Sequence, residues 1–473
     1  MRWLLTLALL GVAGMGTPAL PGWAEEPARV TLPNGFRLIT RADPGTDIAA
    51  VDLLLDLSVL DEPPAKSGIR YLVQRLLMRG TVHETGGKMA QQLASVGGAA
   101  DISVGLDYVE IYALVPSDGF ELALNLMADA VRNPTFSADE VAKQKDQAKE
   151  AARSALEDPF QATYLALREE LYQTHPYARS VFGEESSLEA ITREDIRSFH
   201  EAYYRPSRAV VAVCGGVAPT RALRAIRAAF GDWADRPAPP RPEIPVPPLA
   251  SSSAVARELP TERAHLIFGF PAPAAGEAGY YEMQVLQSLI SGGATSRLPR
   301  ALREDLGLAY EVSSFYPTLA GPSHVGIYVV TEPFAMEGAK AAVLEALNKL
   351  AQQPIAPPAA ASATAADAGD ELAKAKRYLL GSYALAHQRM KDQAYALAWY
   401  EILGPTAGPD GGGGVGAPSS GRPEQANPAV RPGGLSDARY AAGVEAVTPA
   451  GVQAAAASLL RSFVLSVTMP ADL

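Results

Sequence analysis

The chain has 473 residues, of which 41 are Lys or Arg and 52 are Asp or Glu, giving a formal net charge of -11, and 48% are hydrophobic. This length predicts two or three domains with substantial cores, and the acidic balance excludes nucleic acid and anionic lipid as general partners, because both require basic surfaces. The chain has one cysteine and six histidines. A single cysteine can form neither an intrachain disulfide nor a Cys-x-x-Cys metal site, so the ligands of any metal site must be His, Asp or Glu.

The first 24 residues differ in composition from the rest. Arg2 gives a positive start, Leu4–Val12 is apolar, and small residues lead to Ala24 before two glutamates. This pattern predicts a secretory signal peptide cleaved after Ala24; a membrane anchor is the alternative, but the apolar run is short for a span. No later stretch is apolar enough to cross a bilayer, so we expect a soluble exported protein. The absence of disulfides favours the bacterial periplasm over the exterior.

Seven prolines between Asp235 and Ala250 divide the remaining chain nearly in half, and a segment so poor in backbone donors predicts an extended linker over 235–250. Each half, 28–234 and 251–473, begins with strand-like segments and continues into helices. This order favours the α+β class. We expect two similar sandwich domains, each an antiparallel-rich sheet with helices packed on one face.

The strands of the first half are indicated by short apolar or alternating segments. A Pro-Asn-Gly turn between Arg29–Leu32 and Phe36–Thr40 predicts a hairpin. Further strands are predicted over Ile48–Leu57, Tyr108–Leu114 and Arg208–Cys214. The single cysteine is expected to be a small buried residue of the last strand.

Two helices of the first half are predicted from their N-terminal caps. Ser137 with Glu140 matches a capping box ahead of a polar helix that continues to about Asp158. Thr192 with Asp195 matches another before a shorter helix.

The most informative segment runs from Ser67 to Thr81 and predicts an amphipathic helix that ends at Gly80. Its core-facing stripe consists of five apolar residues at helical spacing: Ile69, Leu72, Val73, Leu76 and Leu77. A second face, with the same spacing, presents Tyr71, Gln74, Arg75 and Met78.

In this segment the chain resembles the pitrilysin/insulinase-type zinc metallopeptidases, in their processing-peptidase-like branch. In that family the helix carries His-x-x-Glu-His and runs on to Gly-Thr, so that two histidines hold zinc and the glutamate activates water. Counting back from Gly80 puts Tyr71 and Arg75 at the histidine positions and Gln74 at the glutamate position. Tyrosine is a poor ligand at neutral pH, glutamine cannot accept a proton, and a guanidinium repels a dication. The resemblance therefore implies a degenerate site and no metal in this chain.

The remaining candidates do not replace this site. No two histidines are close enough in sequence to share a helical face; they are His83, His175, His200, His265, His324 and His387. The third zinc ligand of the family, a later glutamate, corresponds to Glu150. Without the histidines, Glu150 is expected to pair with a cation such as Arg75 or to face water.

The resemblance extends along nearly all of the chain beyond the signal peptide, outside the linker and insertions. In the first half it rests on an ordered series of short motifs: His175-Pro176-Tyr177, Phe182-Gly183, Ser187-Leu188, Ile191-Thr192, Tyr203-Tyr204-x-Pro206 and Gly215-Gly216. It implies that the two domains form half of a clam-shell.

In the second half, Arg303 and Tyr310 match the arginine/tyrosine pair of the family, whose two members are seven residues apart. Gly307 is expected to end a helix, so that Arg303 lies on its last turn, Tyr310 opens the next strand, and both point into one cleft. In such peptidases the pair donates hydrogen bonds to the substrate carbonyl. Pro299 departs from the family pattern, so the resemblance does not predict the backbone conformation at this point.

A structural alternative exists for the same two residues. Arg303 would pair with Glu304 or Asp305, and Tyr310 would pack in the core.

Two low-complexity segments interrupt the second half. Residues 355–371 are mostly Ala/Pro-rich and residues 405–435 are Gly/Pro-rich. Neither has enough apolar bulk to offset its ordering entropy, so both are predicted to be flexible insertions.

The resemblance implies the zinc-free subunit of a periplasmic heterodimeric peptidase. Arg303 and Tyr310 would contact the peptide substrate in trans, beside the zinc of a homologous partner that carries His-x-x-Glu-His. The alternative is a non-catalytic scaffold, as in the core subunits of the bc1 complex, that binds a peptide along a sheet edge.

Overall fold

The structure is a computed structural model, and it describes residues 27–353, 355, 371–404 and 436–471. The predicted signal peptide lies outside these residues. So do the predicted insertions, apart from Ile355 and Glu371. No helix in these ranges is both long enough and apolar enough to span a membrane.

The first half is built on a six-stranded sheet in the order β1-β2-β6-β3-β5-β4. Strands β2 and β6 pair in parallel, and the other neighbours are antiparallel. The predicted hairpin is the β1–β2 pair, and Cys214 is buried in β6. The strands are β1 Ala28–Thr31, β2 Arg37–Ala42, β3 Ile48–Leu55, β4 Ala99–Val104, β5 Val109–Pro116 and β6 Ala209–Gly215.

The first half has eight α-helices among the described residues, and all of them except α5 cover one face of this sheet and contribute to the core there. They are α1 Ile69–Leu77, α2 Gly86–Ser95, α3 Phe120–Arg132, α4 Ala138–Glu157, α5 Pro159–Tyr172, α6 Glu185–Ala190, α7 Arg193–Tyr203 and α8 Pro219–Phe230. Thr192 and Asp195 form the predicted capping box of α7. At α4 only half of the predicted box forms: Ser137 accepts from the Glu140 amide, but the Glu140 side chain does not return the bond.

The second half repeats this plan with a five-stranded sheet in the order β7-β11-β8-β10-β9. Its strands are β7 Ser253–Leu259, β8 Ala264–Ala272, β9 Glu311–Phe315, β10 Ser323–Thr331 and β11 Val464–Pro470. Its helices are α9 Tyr280–Ser291, α10 Arg297–Pro299 with a π-helical continuation Arg300–Asp305, α11 Met336–Gln352, α12 Glu371–Ala386, α13 Met390–Leu403, α14 Asp437–Ala446 and α15 Pro449–Leu459. The α+β class and the two similar sandwiches are confirmed.

The two halves exchange helices, which a half-by-half interpretation of the sequence does not predict. Helix α5 of the first half packs on β7, β8 and β11. Leu167 of α5 lies so close to Gly269 of β8 that a Cβ added at Gly269 would be 2.6 Å from the Leu167 Cδ1. Helix α13 of the second half packs on β3 and β6, and Trp399 joins the same apolar cluster as Val210 and Cys214. Each sheet therefore has helices on both faces, and the helices of the other half supply the second face.

The proline-rich segment, for which a linker over 235–250 is predicted, forms neither helix nor strand from Ala234 to Leu249. It is nevertheless fixed to the first half, because Arg241 lies 2.8 Å from both the Asp56 and the Asp61 carboxylates.

A pair of buried carboxyl groups lies under α13. Asp52 of β3 and Glu110 of β5 lie close enough for each carboxyl group to influence the other, and no hydrogen bond satisfies the Asp52 oxygens among the described residues. Lys391 of α13 is the nearby cation, with its Nζ 3.2 Å from the centre of the Tyr112 ring. Burial, and then the negative charge of Glu110, raise the pKa of Asp52 well above its usual range. Burial also raises the pKa of Glu110. The pair therefore holds a proton more tightly than the same groups do in the unfolded chain.

Asp52→Asn is expected to raise the melting temperature, and more at pH 8 than at pH 5. A carboxyl whose pKa is raised by folding costs stability as the pH rises above its unfolded value of about 4, and this cost grows until the pH passes the pKa of the folded state. Asparagine removes this cost and offers Glu110 an N–H donor. Asp146→Asn, an exposed change on α4, is the matched control. An equal change in melting temperature at both pH values would contradict the assignment.

Candidate functional site

A cavity of about 580 Å³ lies between the end of α1, helix α2, the start of α4 and strand β4. We call it the α1–β4 groove. It is lined by Arg75, Met78, Arg79, Gly86, Gly87, Ala90, Leu93, Gly98, Ala99, Ala100, Asp101, Ile102, Glu140 and Lys143. Among the described strands, β4 stands at the edge of its sheet, so the backbone of one side is available beside the groove.

The groove exists because α2 begins directly against the end of α1. A Cβ at Gly86 would lie 2.6 Å from the Met78 carbonyl oxygen, so only glycine allows this approach. Neither α2 nor β4 was predicted from the sequence. The alternation of Ala99–Val104 after two glycines was the available signal for the strand.

The three positions expected to be degenerate lie on α1 as predicted, but their side chains have separate environments. Tyr71 is half-buried and its ring meets Phe182 edge-on, with centroids 5.2 Å apart. Gln74 is fully buried: its Nε2 donates to the Glu110 carbonyl oxygen at 2.6 Å, and its Oε1 accepts from the Tyr204 hydroxyl at 3.0 Å. Gln74 is thus a structural tie between α1, the sheet and the end of α7.

The Arg75 side chain contacts α4, but through two glutamines and not through Glu150. Its Nε donates to Gln144 at 3.2 Å and its Nη2 to Gln147 at 3.4 Å. Glu150 is exposed one turn further along α4 and has no ion pair among the described residues. Of the two alternatives for Glu150, the geometry corresponds to the one in which it faces water.

These residues do not fit zinc. The amide of Gln74 is occupied by its two bonds, and Arg75 brings a positive charge. Glu150 is exposed and forms no hydrogen bond or ion pair with either residue. Across residues 27–353, 355, 371–404 and 436–471, no group of three or more His, Cys, Asp or Glu side chains is arranged to hold a metal ion.

Gln74→Glu, which restores the glutamate of the family, is expected to destabilise the fold by about 1–3 kcal/mol, because it removes the donor to Glu110 and turns a carboxylate toward a buried carbonyl oxygen. The measurement is the free energy of unfolding in urea. Gln147→Glu, on the exposed face of α4, is the control. A variant as stable as the parent would show that the Gln74 bond to Glu110 contributes little.

The N-terminus of α1 is held by a buried ion pair. Glu62 accepts from the backbone amides of Gly68 and Arg70, both at 3.2 Å, and lies 3.5 Å from the Arg70 Nε. The Arg70 Nη1 donates to the carbonyl oxygens of Leu57 and Tyr108, both at 2.9 Å. Both side chains of the pair are almost completely buried. Helix α1 is therefore anchored from its first turn.

Arg303 and Tyr310 are both accessible at the surface of the second half. Arg303 lies on the last turn of the π-helical segment, where Leu306 donates to the Ala301 carbonyl oxygen, and Gly307 ends the segment with φ +61°. Its side chain is 46% exposed and lies 3.9 Å from Glu304, a weak contact between two exposed groups. Pro299 precedes this segment, so the departure from the family pattern coincides with an irregular helix.

Tyr310 immediately precedes β9 and is 51% exposed, so it does not pack in the core. Its hydroxyl donates to Glu332 at 2.6 Å, and the Arg263 guanidinium stacks 3.7 Å from its ring centre. The hydrogen bond to Glu332 raises the pKa of Tyr310, so the phenol keeps its proton. Glu332 and Arg263 were not predicted from the sequence, because both contacts depend on strand pairing.

Neither Arg303 nor Tyr310 lines the α1–β4 groove. Within this chain the structure therefore provides two separate surfaces: the α1–β4 groove, and an exposed arginine and tyrosine in the second half.

These features define a class: a scaffold of two sandwiches like that of the insulinase-type metallopeptidases, in which α1 carries Tyr71, Gln74 and Arg75. Residues 37–185 match the family model described as insulinase (peptidase family M16), and residues 190–359 match the peptidase M16 inactive domain. The chain belongs to this insulinase family.

Relatives and solved structures agree with this assignment. An uncharacterized zinc protease of Mycobacterium bovis is 30% identical over 321 residues, which cover 67% of this chain and 73% of the relative. One from Bacillus subtilis is 25% identical over 300 residues, 63% of this chain and 72% of the relative.

Two crystal structures have the same fold. One, of a protease from Helicobacter pylori, has a TM-score of 0.78 at 18% identity and covers 94% of this chain and 100% of its own. The other, of a peptidase M16 inactive domain from Pseudomonas fluorescens, has a TM-score of 0.77 at 21% identity and covers 94% and 98%.

Proposed function

We propose that this protein is the zinc-free subunit of a periplasmic heterodimeric peptidase. Arg303 and Tyr310 contact the carbonyl of the peptide substrate in trans, beside the zinc of a homologous partner with an intact His-x-x-Glu-His helix. The observation that carries the proposal is Gln74: the position that activates water in the family is a buried structural amide here. The chain therefore needs another chain for hydrolysis.

The surroundings of Arg303 and Tyr310 support this role. A guanidinium and a protonated phenol are donors suited to a carbonyl oxygen that becomes negative in the transition state. Both side chains are half-exposed, so a second chain can approach them. The Tyr310 hydroxyl would exchange Glu332 for the substrate carbonyl, a replacement of one acceptor by another.

A second candidate is a peptide-binding scaffold without any catalytic partner. The α1–β4 groove favours it, because an extended peptide can add to the open edge of β4 while its side chains enter the cavity. A neighbouring gene for an exported chain of similar length with His-x-x-Glu-His favours the heterodimer, and the absence of such a gene favours the scaffold.

The test is purification of this chain alone and with such a partner from the native host. Alone, it is expected to contain no stoichiometric zinc and to cleave no peptide. The pair is expected to contain one zinc and to cleave. Zinc-dependent proteolysis by the isolated chain would contradict the proposal, and peptide binding without any co-purifying homologue would favour the scaffold.

A further inference from the structure

A second pocket, of about 300 Å³, lies in the helix layer of the first half and shares no lining residue with the α1–β4 groove. Four arginines line it: Arg132 of α3, Arg197 of α7, Arg205 just after α7, and Arg236 in the linker. Glu201 is the one acidic residue among its lining residues. The lining thus has a formal excess of three positive charges in a chain whose net charge is -11.

Most of this charge is not neutralised by neighbouring carboxylates. Arg132 lies 2.9 Å from Asp232 and also donates to the Ala229 carbonyl oxygen. Arg205 donates only to backbone carbonyl oxygens of α7. In the part of the chain that the structure describes, Arg197, Arg205 and Arg236 have no ion pair.

Two of these arginines influence each other: Arg205, which is half-buried, and Arg236, which is exposed, as is Arg197. Burial, and then the positive charge of Arg236, lower the pKa of Arg205, whereas Asp235 and Glu201 act in the opposite direction without forming an ion pair. The like charges of Arg205 and Arg236 repel each other, and an anion bound between them would remove this repulsion. The excess of positive charge in the pocket lining therefore points to an anionic ligand.

An aromatic wall completes the pocket. Trp233 is half-buried, and its ring contacts those of Phe36 and Phe230 at centroid distances of 6.3 and 5.9 Å, so the indole is held in place. Phe136 and Tyr204 line the same pocket. An organic group attached to the anion can pack on this wall.

We propose that this pocket binds a small phosphate monoester, with the phosphate between Arg197, Arg205 and Arg236 and the organic group against Trp233. The planar guanidinium fork matches the oxygens of a phosphate, and a doubly charged ligand offsets most of the excess charge. The volume suits a small molecule rather than a folded partner.

The experiment is calorimetric titration of the purified chain, at constant ionic strength, with phenyl phosphate, inorganic phosphate and succinate. Saturable one-to-one binding is expected, tightest for phenyl phosphate. Arg197→Ala and Arg236→Ala are each expected to weaken it by about tenfold or more, because each removes a charge-assisted hydrogen bond. Arg224→Ala, an exposed change on α8 outside the pocket, is expected to leave binding unchanged.

The pH profile gives an independent readout. Burial lowers the pKa of His200, which also lines the pocket, to about 4, so the protein's own charge there changes little between pH 5 and 7.5. Affinity is expected to rise over this interval because the second ionisation of a phosphate monoester falls at about pH 6.

Three results would overturn the proposal. The first is an absence of saturation up to about 10 mM ligand, which corresponds to negligible specific affinity. The second is unchanged binding in both arginine variants. The third is succinate binding as tightly as phenyl phosphate. Equal affinity for inorganic and phenyl phosphate would overturn the role of Trp233 and assign the pocket to free phosphate.

Discussion

Arg303→Ala and Tyr310→Phe are each expected to lower the turnover of the reconstituted heterodimer by about 10²-fold, the usual effect of removing one donor to a developing oxyanion. The loss should fall mainly on kcat, since the bonds strengthen as the carbonyl becomes negative. Tyr310→Phe removes only the hydroxyl and keeps the ring that stacks on Arg263. The measurement is steady-state cleavage of a peptide by the pair at matched concentrations.

Arg300→Ala is the matched control for Arg303→Ala, because both arginines lie on the same π-helical segment and both are exposed. It is expected to leave turnover near that of the parent. Melting temperatures of all variants separate a local effect from unfolding. Near-normal turnover in both Arg303→Ala and Tyr310→Phe would contradict a catalytic role for these two residues.

Arg70→Ala is expected to lower the free energy of unfolding by about 3–5 kcal/mol, the range for removing one partner of a buried ion pair. The substitution leaves the Glu62 carboxylate buried without the Arg70 cation. It also removes the side-chain donor to the carbonyl oxygens of Leu57 and Tyr108, of which Tyr108 keeps the Gly105 amide as a donor. It also leaves a cavity, because Arg70 is among the largest fully buried side chains. Urea unfolding of the isolated chain measures the loss.

Arg79→Ala, an exposed arginine just beyond the other end of α1, is the control and is expected to change stability by less than about 0.5 kcal/mol. A second variant, Glu62→Gln together with Arg70→Met, removes both charges and is expected to recover part of the loss. If Arg70→Ala costs no more than Arg79→Ala, the buried pair does not anchor α1.

The local elements of the fold could be predicted because short-range physical chemistry determines them. Apolar residues at helical spacing and a glycine at position 80 suffice for α1, whose bounds Ile69–Leu77 agree with the predicted stripe. The same holds for the β1–β2 hairpin and for the cap at Thr192.

Contacts between distant parts of the chain could not be predicted. The role of Gln74 depends on a carbonyl oxygen in β5 and a hydroxyl after α7, neither of which is visible from its own helix. Arg75 has two glutamines within reach on α4, and the sequence does not tell whether those or Glu150 face it. The position of α13 depends on its contacts with β3 and β6 in the other half, and the periodicity of the α13 sequence gives no information about that sheet.

The crossing of α5 and α13 between the two halves has a mechanical consequence. Bending the chain between its two sheets would separate α5 from β8 and, at the same time, α13 from β3. Both separations would expose apolar surface to water. A hinge needs few apolar contacts across it, and this connection has many. The protein is therefore expected to move as a rigid shell. Any opening that admits a substrate to a two-chain chamber would then occur between the chains and not within this one.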